Sequence, residues 1–481
     1  MTKLNNGDSK YTTLTKNMAL FTISSLGSKL ISFLLVPLYT FVFSTQEFGT
    51  VDLLTSTVAL LIPILTINIQ DAVLRFALDK EYSADDVIST GLRINFFGSA
   101  ILLLSLILLK WTGILQLDVP LIVFLFLSFV FGSLNHCFTL YLKGKNKVPV
   151  LIVSGLINTI LLCALNIFLL VVVKIGVVGY LIANVAGVAA AVVYQFFAGG
   201  IYKDVHLKKF NNLSKKMLTY SGPLVANSLA WWINGTSGRY IVTFFCGVAV
   251  NGIFSVAYKI PTMLSTVQDV FYNAWSISAI TEYDKDDKDG FIGNTYILYS
   301  LVSLIGCSFI MLLNIPFARL LYSGDFFMAW KFVPFLLVGT VFNGIALFQG
   351  CIFAAVKNTK EVSKTTLVGA GISILCSVLF VYYIGAIGSA LAALLGYLAT
   401  WIMRTIKLNQ IIKMKVNWKN HIASCILLIM QSVFALSEKT MYLQIIAAIV
   451  LLFLQRKYFL MLAVKIREKV TEHRRKGKST I

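Results

Sequence analysis

The chain has 481 residues, of which 58% are hydrophobic and only 13% are charged. Soluble domains carry roughly 25% charged residues, so this composition excludes a soluble globular protein. The formal net charge of +20 raises the question of nucleic-acid binding, but the distribution of the basic residues along the chain argues against it.

Apolar stretches long enough to cross a bilayer recur along the whole chain. A spanning helix requires about 20 mostly apolar residues. By this criterion the sequence predicts about fourteen transmembrane helices, at roughly 17–43, 48–72, 88–109, 119–142, 149–173, 176–200, 217–245, 250–278, 291–314, 331–355, 364–383, 386–405, 420–437 and 441–463. The first stretch has no small-residue cleavage site after it, which favours a retained helix over a cleaved signal peptide.

Basic residues are concentrated on one side of this predicted arrangement. With both termini cytoplasmic, 33 of the 41 Lys and Arg residues fall in inner segments such as "LKGKNKV" and "RTIKLNQIIKMKVNWKN", and five fall outside. This asymmetry is the positive-inside signal and predicts the orientation. The basic charge therefore indicates contact with anionic membrane lipids and no binding of nucleic acid.

Two distant windows of the sequence are alike. "IGVVGYLIANVAG" begins at Ile175, and "IGAIGSALAALLG" begins 209 residues later at Ile384. The order of neighbouring landmarks also recurs, including "NIQDAVLRF" and "TVQDVFYNAW". Each half contains six predicted spans, and an even number places the second half on the same side as the first. The pattern therefore predicts a parallel repeat about an axis along the membrane normal.

The predicted fold is an all-α membrane protein with two pseudo-symmetric six-helix bundles around a central cavity. The predicted divisions are a first bundle at 1–205, a second at 206–410, and two further helices with a basic cytoplasmic tail at 411–481. Small residues recur every fourth position in both windows, at Gly179, Ala183, Gly187, Gly388, Ala392 and Gly396. They indicate either close helix packing within each bundle or a sliding seam between the bundles.

Three basic residues lie deep within predicted spans. Lys29 and Lys259 are near mid-membrane, and Arg239 lies in the outer third of the seventh span. A charge at the bilayer centre costs roughly 2.5–3.5 kcal/mol on insertion scales. No acidic residue is an obvious partner at a matching depth, and the nearest candidate, Asp52, is closer to the outer face. These cations therefore predict a watery, electropositive cavity whose guest is an anion, such as a phosphate or an acidic sugar.

Further charged residues flank the predicted inner mouth of this cavity. Arg75 and Arg93 are included in the predicted substrate site, with anchoring of helix ends as the alternative. Asp71 and Asp269 occupy the two copies of the Gln-Asp landmark. They are predicted to pair with the cations or to cap helix ends, and coupling-ion binding is a third interpretation.

Signals of enzyme chemistry are absent from the sequence. It contains no phosphate-binding glycine loop and no paired catalytic carboxylates, and its seven cysteines have no metal-ligand or redox spacing. The longest predicted outer loop is about 15 residues, which is too short for a folded outer domain. We therefore expect no cofactor, no metal and no enzymatic activity.

One long segment resembles a known family. "SGRYIVTFFCGVAVNGIFSVAYKIPTMLSTVQDVFYNAW" is similar to the seventh-to-eighth helix region of Wzx-type polysaccharide flippases, in the multidrug/oligosaccharidyl-lipid/polysaccharide exporter superfamily. The positions that fit are Arg239, Tyr240, Gly252, Phe254, Ser255, Ala257, Tyr258, Lys259, Ile260, Pro261 and Trp275. Gly238 stands where the family often has Asp, which removes an expected neighbour of Arg239. The N-terminal "SKLISFLLVPLYTFVFSTQEFGTVDLLTS" resembles the family's first two helices.

The resemblance implies a MATE-like fold and a specific transport activity. Such flippases move undecaprenyl-diphosphate-linked oligosaccharides by alternating access from the inner to the outer leaflet of the bacterial cytoplasmic membrane. The product is O-antigen, capsule or exopolysaccharide, and a polysaccharide polymerase and other assembly proteins are expected partners. One alternative is a multidrug or cation antiporter of the same superfamily, which buried lysines disfavour. Another is a membrane polymerase or ligase, which the short outer loops disfavour.

Overall fold

Two compact units make up the chain. The computed structural model describes residues 33–456, apart from 80, 115, 207–211, 282, 289 and 357, and all regular secondary structure in these residues is helical. The division between the units falls between Tyr240 and Ile241, inside one long helix. The six-helix grouping with a boundary at 205/206 stays a prediction.

The first unit is built from helices of very different length. In chain order they are α1 (Val36–Val42), α2 (Thr45–Leu65), α3 (Ile69–Ala77), α4 (Ala84–Trp111), α5 (Val119–Gly144), α6 (Val148–Ile167), α7 (Gly176–Ala198), the short α8 (Ile201–Asp204) and the beginning of α9 (Asn212–Cys246). A π-helical turn, Phe168–Val172, continues α6.

Local sequence explains where these helices begin and break. Ser44 and Glu47 form a capping box at the start of α2: the Ser44 hydroxyl accepts from the Glu47 amide, and the Glu47 carboxylate accepts from the Ser44 amide at 2.8 Å. The chain then breaks between α2 and α3, where Ile67 and Asn68 have φ of 51° and 50°. Left-handed backbone is uncommon for a β-branched residue such as Ile67, so the surrounding packing must hold it.

The second unit contains the rest of the chain. After the end of α9, its helices are α10 (Val248–Ala257), α11 (Lys259–Thr281), α12 (Phe291–Leu312), α13 (Asn314–Leu321), α14 (Val333–Ala355), α15 (Thr359–Ile384), α16 (Ala386–Ile411), α17 (Trp418–Phe434) and α18 (441–456). Two 3-10 segments, Gly324–Lys331 and Glu438–Thr440, precede α14 and α18.

Glycines at positive φ mark two of the sharpest connections in this unit. Gly247 separates α9 from α10 with φ of 90° and ψ of 165°, and Gly385 separates α15 from α16 with φ of 69°. Side chains rarely adopt this backbone conformation, so glycine is required at such turns. By contrast, α10 and α11 are separated by the single turn residue Tyr258.

Ten helices in the described residues are long and apolar enough to cross a membrane, all at predicted positions. The other four predicted spans are not among these ten. The first lies mostly outside the described residues, and the seventh corresponds to α9, which contains the polar stretch "NGTSGRY". The eighth is divided at Tyr258, and the thirteenth corresponds to α17, with 17 residues.

The same pairs of helices pack together inside each unit. In the first unit α7 packs along α5 and α6, and in the second α16 packs along α14 and α15. A Cβ atom at Gly187 would lie 2.7 Å from the Asn158 side-chain oxygen on α6, and one at Gly396 would lie 2.7 Å from the Gly369 carbonyl oxygen on α15. At these positions the small residues bring together helices of one unit, as the packing interpretation predicts.

Candidate functional site

An ion pair joins α2 to α9 within the first unit. Nη1 of Arg239 lies 3.1 Å from Oδ1 of Asp52 and donates to the Ser56 hydroxyl at 3.1 Å. Asp52 and Ser56 are one helical turn apart on α2, so their side chains face α9 together. The sequence-predicted cation Arg239 therefore has Asp52 as its counterion.

Aromatic residues on α9 hold this contact in register. Nε1 of Trp232 donates to the Ser56 carbonyl oxygen at 2.8 Å, and the Tyr240 hydroxyl lies 2.8 Å from the Thr57 hydroxyl. The rings of Trp232 and Tyr240 are 5.3 Å apart. Trp232 and Tyr240 therefore both contact α2 beside the ion pair.

The ion pair is partly open to its surroundings. The side chains of Arg239 and Asp52 are 21% and 15% exposed. This is too little for a surface pair that water screens fully, and too much for a sealed core pair. Part of each charged group is therefore accessible from outside the protein.

The two predicted lysines are placed differently. Lys29 lies outside the described residues. Lys259 is the first residue of α11, directly after the break at Tyr258, and is half-buried. It thus occupies the N-terminal end of a helix within the predicted eighth span, where the helix dipole adds positive potential.

Arg75 and Arg93 occupy separate helices of the first unit. Arg75 is in the last turn of α3, where its exposed side chain is 3.6 Å from Asp79. Arg93 is half-buried on α4. For Arg75 the geometry agrees with anchoring of a helix end, since a cation there is stabilised by the helix dipole.

The two Gln-Asp landmarks also differ from one another. Asp71 lies in the first turn of α3 and accepts from the Asn68 side-chain amide at 2.5 Å, so it stabilises the start of that helix. Asp269 lies on an exposed position of α11. Asp71 makes no capping bond to the backbone, but a carboxylate in the first turn is stabilised by the helix dipole.

A buried guanidinium that sequence reasoning missed lies in the second unit. The sequence pattern predicts that Arg404 belongs to a basic cytoplasmic segment, but in the structure this residue of α16 is buried against α14 and α15. It donates to the hydroxyls of Thr365 and Thr366, at 3.0 and 2.8 Å, and to the carbonyl oxygens of Ala346 and Val362. These four acceptors lie on α14 and α15, so the Arg404 side chain on α16 links three helices.

Another polar cluster lies at the predicted cytoplasmic end of the first unit. The Asp204 carboxylate accepts from Lys145 at 2.5 Å and from the Tyr141 hydroxyl at 2.8 Å. Burial raises the pKa of the Asp204 carboxyl, but the hydrogen bonds from Lys145 and Tyr141 outweigh burial and hold this pKa below its ordinary value. The cluster secures α8 to the end of α5.

Within the described ranges, no group of three or more His, Cys, Asp or Glu side chains is arranged to hold a metal ion. Most of the buried polar side chains in these residues are amides and hydroxyls.

Comparison with known proteins gives a family and a fold. A family model described as "Polysaccharide biosynthesis protein" matches residues 14–272, more than half of the chain. No curated protein matches. Among solved structures, "Lipid II flippase MurJ, inward closed conformation" is similar with a TM-score of 0.68 and 16% identity, over 94% of this chain and 100% of that one.

Two further structures extend the comparison. An inward-facing multidrug resistance MATE family transporter of the MOP superfamily has a TM-score of 0.63 and 15% identity, over 82% of this chain and 100% of that one. A MOP superfamily transporter from Pyrococcus furiosus has a TM-score of 0.57 and 15% identity, over 82% and 92%. The predicted fold class, an all-α multi-pass membrane protein, is confirmed.

Proposed function

This chain belongs to the polysaccharide biosynthesis protein family, and we propose that it is a flippase that moves undecaprenyl-diphosphate-linked oligosaccharides across the bacterial cytoplasmic membrane. Family membership, together with a transporter fold that covers nearly the whole chain, is the observation that carries the proposal. It also agrees with the resemblance to polysaccharide flippases in the sequence.

The chemistry of the proposed substrate suits the basic residues in the predicted transmembrane spans. A lipid diphosphate combines negative charge with several acceptor oxygens, and a guanidinium can bind such a group with two parallel hydrogen bonds. Arg239 supplies a guanidinium, while Lys259 and Lys29 supply point charges. In a medium of low dielectric constant these attractions are far stronger than in water. We therefore assign the diphosphate to Arg239, Lys259 and Lys29, with Arg75 and Arg93 at the inner mouth.

The proposed orientation follows from the basic inner segments. The oligosaccharide carrier would enter from the cytoplasmic leaflet, with both termini of the chain in the cytoplasm. Anionic lipids would surround the basic inner face, and a polymerase acting on the outer face would take the product.

Reconstitution of the purified chain in liposomes tests the proposal. Undecaprenyl-diphosphate carrying a fluorescent oligosaccharide is placed in both leaflets, and a non-permeant quencher reports the fraction that becomes accessible. We expect complete quenching with the protein and about half without it. Uptake of a cationic dye with no movement of the carrier lipid would instead identify the multidrug antiporter.

Variants of the proposed cations sharpen this test. Lys259→Gln and Lys29→Gln should each reduce the flipping rate about tenfold or more. Each variant removes one positive charge that attracts the diphosphate in a low-dielectric site. Lys259→Arg should retain part of the rate, since the charge survives while its geometry changes. Wild-type rates for both Gln variants, at normal protein levels, would contradict the assignment.

A further inference from the structure

We propose that Asp52 is a specificity-determining residue: it pairs with Arg239 and yields it only to anions that carry more charge than a phosphodiester. The inference rests on the proposed function. It adds a selection step that a flippase needs, because phosphodiester lipids far outnumber the carrier lipid in any membrane.

The geometry places Asp52 in direct competition with a ligand. Its Oδ1 lies 3.1 Å from Nη1 of Arg239, at the distance that a phosphate oxygen would take. The Ser56 hydroxyl contacts the same nitrogen. An incoming anion must therefore displace the carboxylate or share the guanidinium with it.

Neighbouring contacts allow this exchange without moving the helices apart. Trp232 and Tyr240 connect α9 to α2 through the Ser56 carbonyl and the Thr57 hydroxyl, and neither contact involves the ion pair. Loss of the Asp52–Arg239 contact would thus leave the two helices attached. The ion pair can therefore open for a ligand, because other contacts still join these helices.

Charge decides which anion succeeds. A phosphodiester and a carboxylate each carry one negative charge, so a phosphodiester gains nothing by replacing Asp52 and leaves a partly buried carboxylate without its counterion. A diphosphate carries more than one charge and more acceptor oxygens, which strengthens its bonds to a guanidinium. Asp52 thereby sets a threshold that a diphosphate passes and a phosphodiester does not.

Binding of small anions to the purified full-length protein tests this mechanism. Inorganic pyrophosphate represents the diphosphate, and glycerophosphoglycerol represents a phosphodiester headgroup; both affinities are measured by calorimetry in detergent. The wild type should bind pyrophosphate and bind glycerophosphoglycerol weakly. Asp52→Asn should bind glycerophosphoglycerol roughly tenfold more tightly, the gain expected if the ion pair leaves about one site in ten available.

Three further variants complete the experiment. Asp52→Glu keeps the charge and should keep the wild-type preference, whereas Asp52→Asn with Arg239→Gln should lose the gain. Asp118→Asn, an exposed carboxylate at the start of α5, is the matched control and should bind as the wild type does.

Unchanged affinities in Asp52→Asn would overturn the proposal, as would a relaxed preference in Asp52→Glu. The second result does not depend on how well Asp52→Asn folds. These measurements are also separate from lipid transport. If Asp52→Asn relaxes the preference while liposomes show no movement of carrier lipid, the anion selection stands and the proposed substrate is wrong.

Discussion

At the corresponding packing position, the two units carry different buried polar side chains. Gln195 on α7 and Arg404 on α16 are 209 residues apart, the interval that separates the two glycine-rich windows, and both are 2% exposed. Gln195 donates to the side chains of Asn135 and Ser154 at 3.1 and 3.0 Å. Arg404 donates to two hydroxyls and two carbonyl oxygens.

The two units share the close approach of their helices but not the polar group that links them. The close approach of helices depends on backbone shape and small residues, and it is alike in both units. The polar group that links the helices can change, provided that its hydrogen bonds are satisfied. A buried guanidinium makes more bonds than an amide, but its charge makes each lost bond more expensive. Loss of hydrogen bonds at this position should therefore lower the stability of the second unit more than that of the first.

The largest expected effect comes from filling the small-residue positions. A Cβ atom at Gly388 would lie 2.5 Å from the Phe380 backbone carbon, whereas one at Gly179 would lie 2.9 Å from the Leu169 side chain. Backbone yields less readily than a side chain, so Gly388→Leu should cost more than about 3 kcal/mol and Gly179→Leu about 1–3 kcal/mol. Size-exclusion profiles and thermal unfolding in detergent measure the stability of both variants.

Gly371 provides the control for this pair, because a Cβ atom there would meet nothing within 4 Å. Gly371→Leu should fold as the wild type does. Equal stability of all three leucine variants would contradict close packing at both windows.

The next effect distinguishes the two buried polar groups directly. Arg404→Gln gives the second unit the residue of the first, but a glutamine cannot reach all four acceptors; we expect a loss of about 2–4 kcal/mol. Gln195→Leu removes a neutral amide and should cost about 1–3 kcal/mol. Thermal unfolding of the purified variants ranks the two losses of stability. A larger loss for Gln195→Leu than for Arg404→Gln would contradict the expected order.

The sequence predicted the regular parts of this fold well. Ten spans are recognisable because lipid requires about 20 apolar residues in a row, a signal that needs no knowledge of tertiary contacts. The breaks at Ile67–Asn68 and at Tyr258 were not predicted, since a broken helix has the same average hydropathy as a continuous one. Such breaks depend on packing that sequence patterns do not specify.

The candidate site was predictable only in part. The depth of Arg239 follows from its position in a span. Asp52 was a candidate partner nearer the outer face, but the two are 187 residues apart and only the fold brings them together. Arg404 was misplaced because a basic residue near a helix end resembles the positive-inside signal. Its burial depends on hydroxyls of α15 that have no distinctive spacing.

The smallest expected effect concerns single acceptors of the two buried groups. Ser154→Ala removes one neutral acceptor from Gln195 and should cost about 0.5–1.5 kcal/mol, whereas Thr366→Ala removes an acceptor from a charged donor and should cost about 1.5–3 kcal/mol. A double-mutant cycle isolates the interaction: in the Arg404→Gln background, Thr366→Ala should cost much less, because its donor has gone. Thermal unfolding of the four proteins in each cycle gives both coupling energies. A coupling energy for Thr366 and Arg404 no larger than that for Ser154 and Gln195 would mean that the charge of Arg404 adds nothing to its hydrogen bonds. The two units would then differ in sequence at this position but not in the physics that holds their helices together.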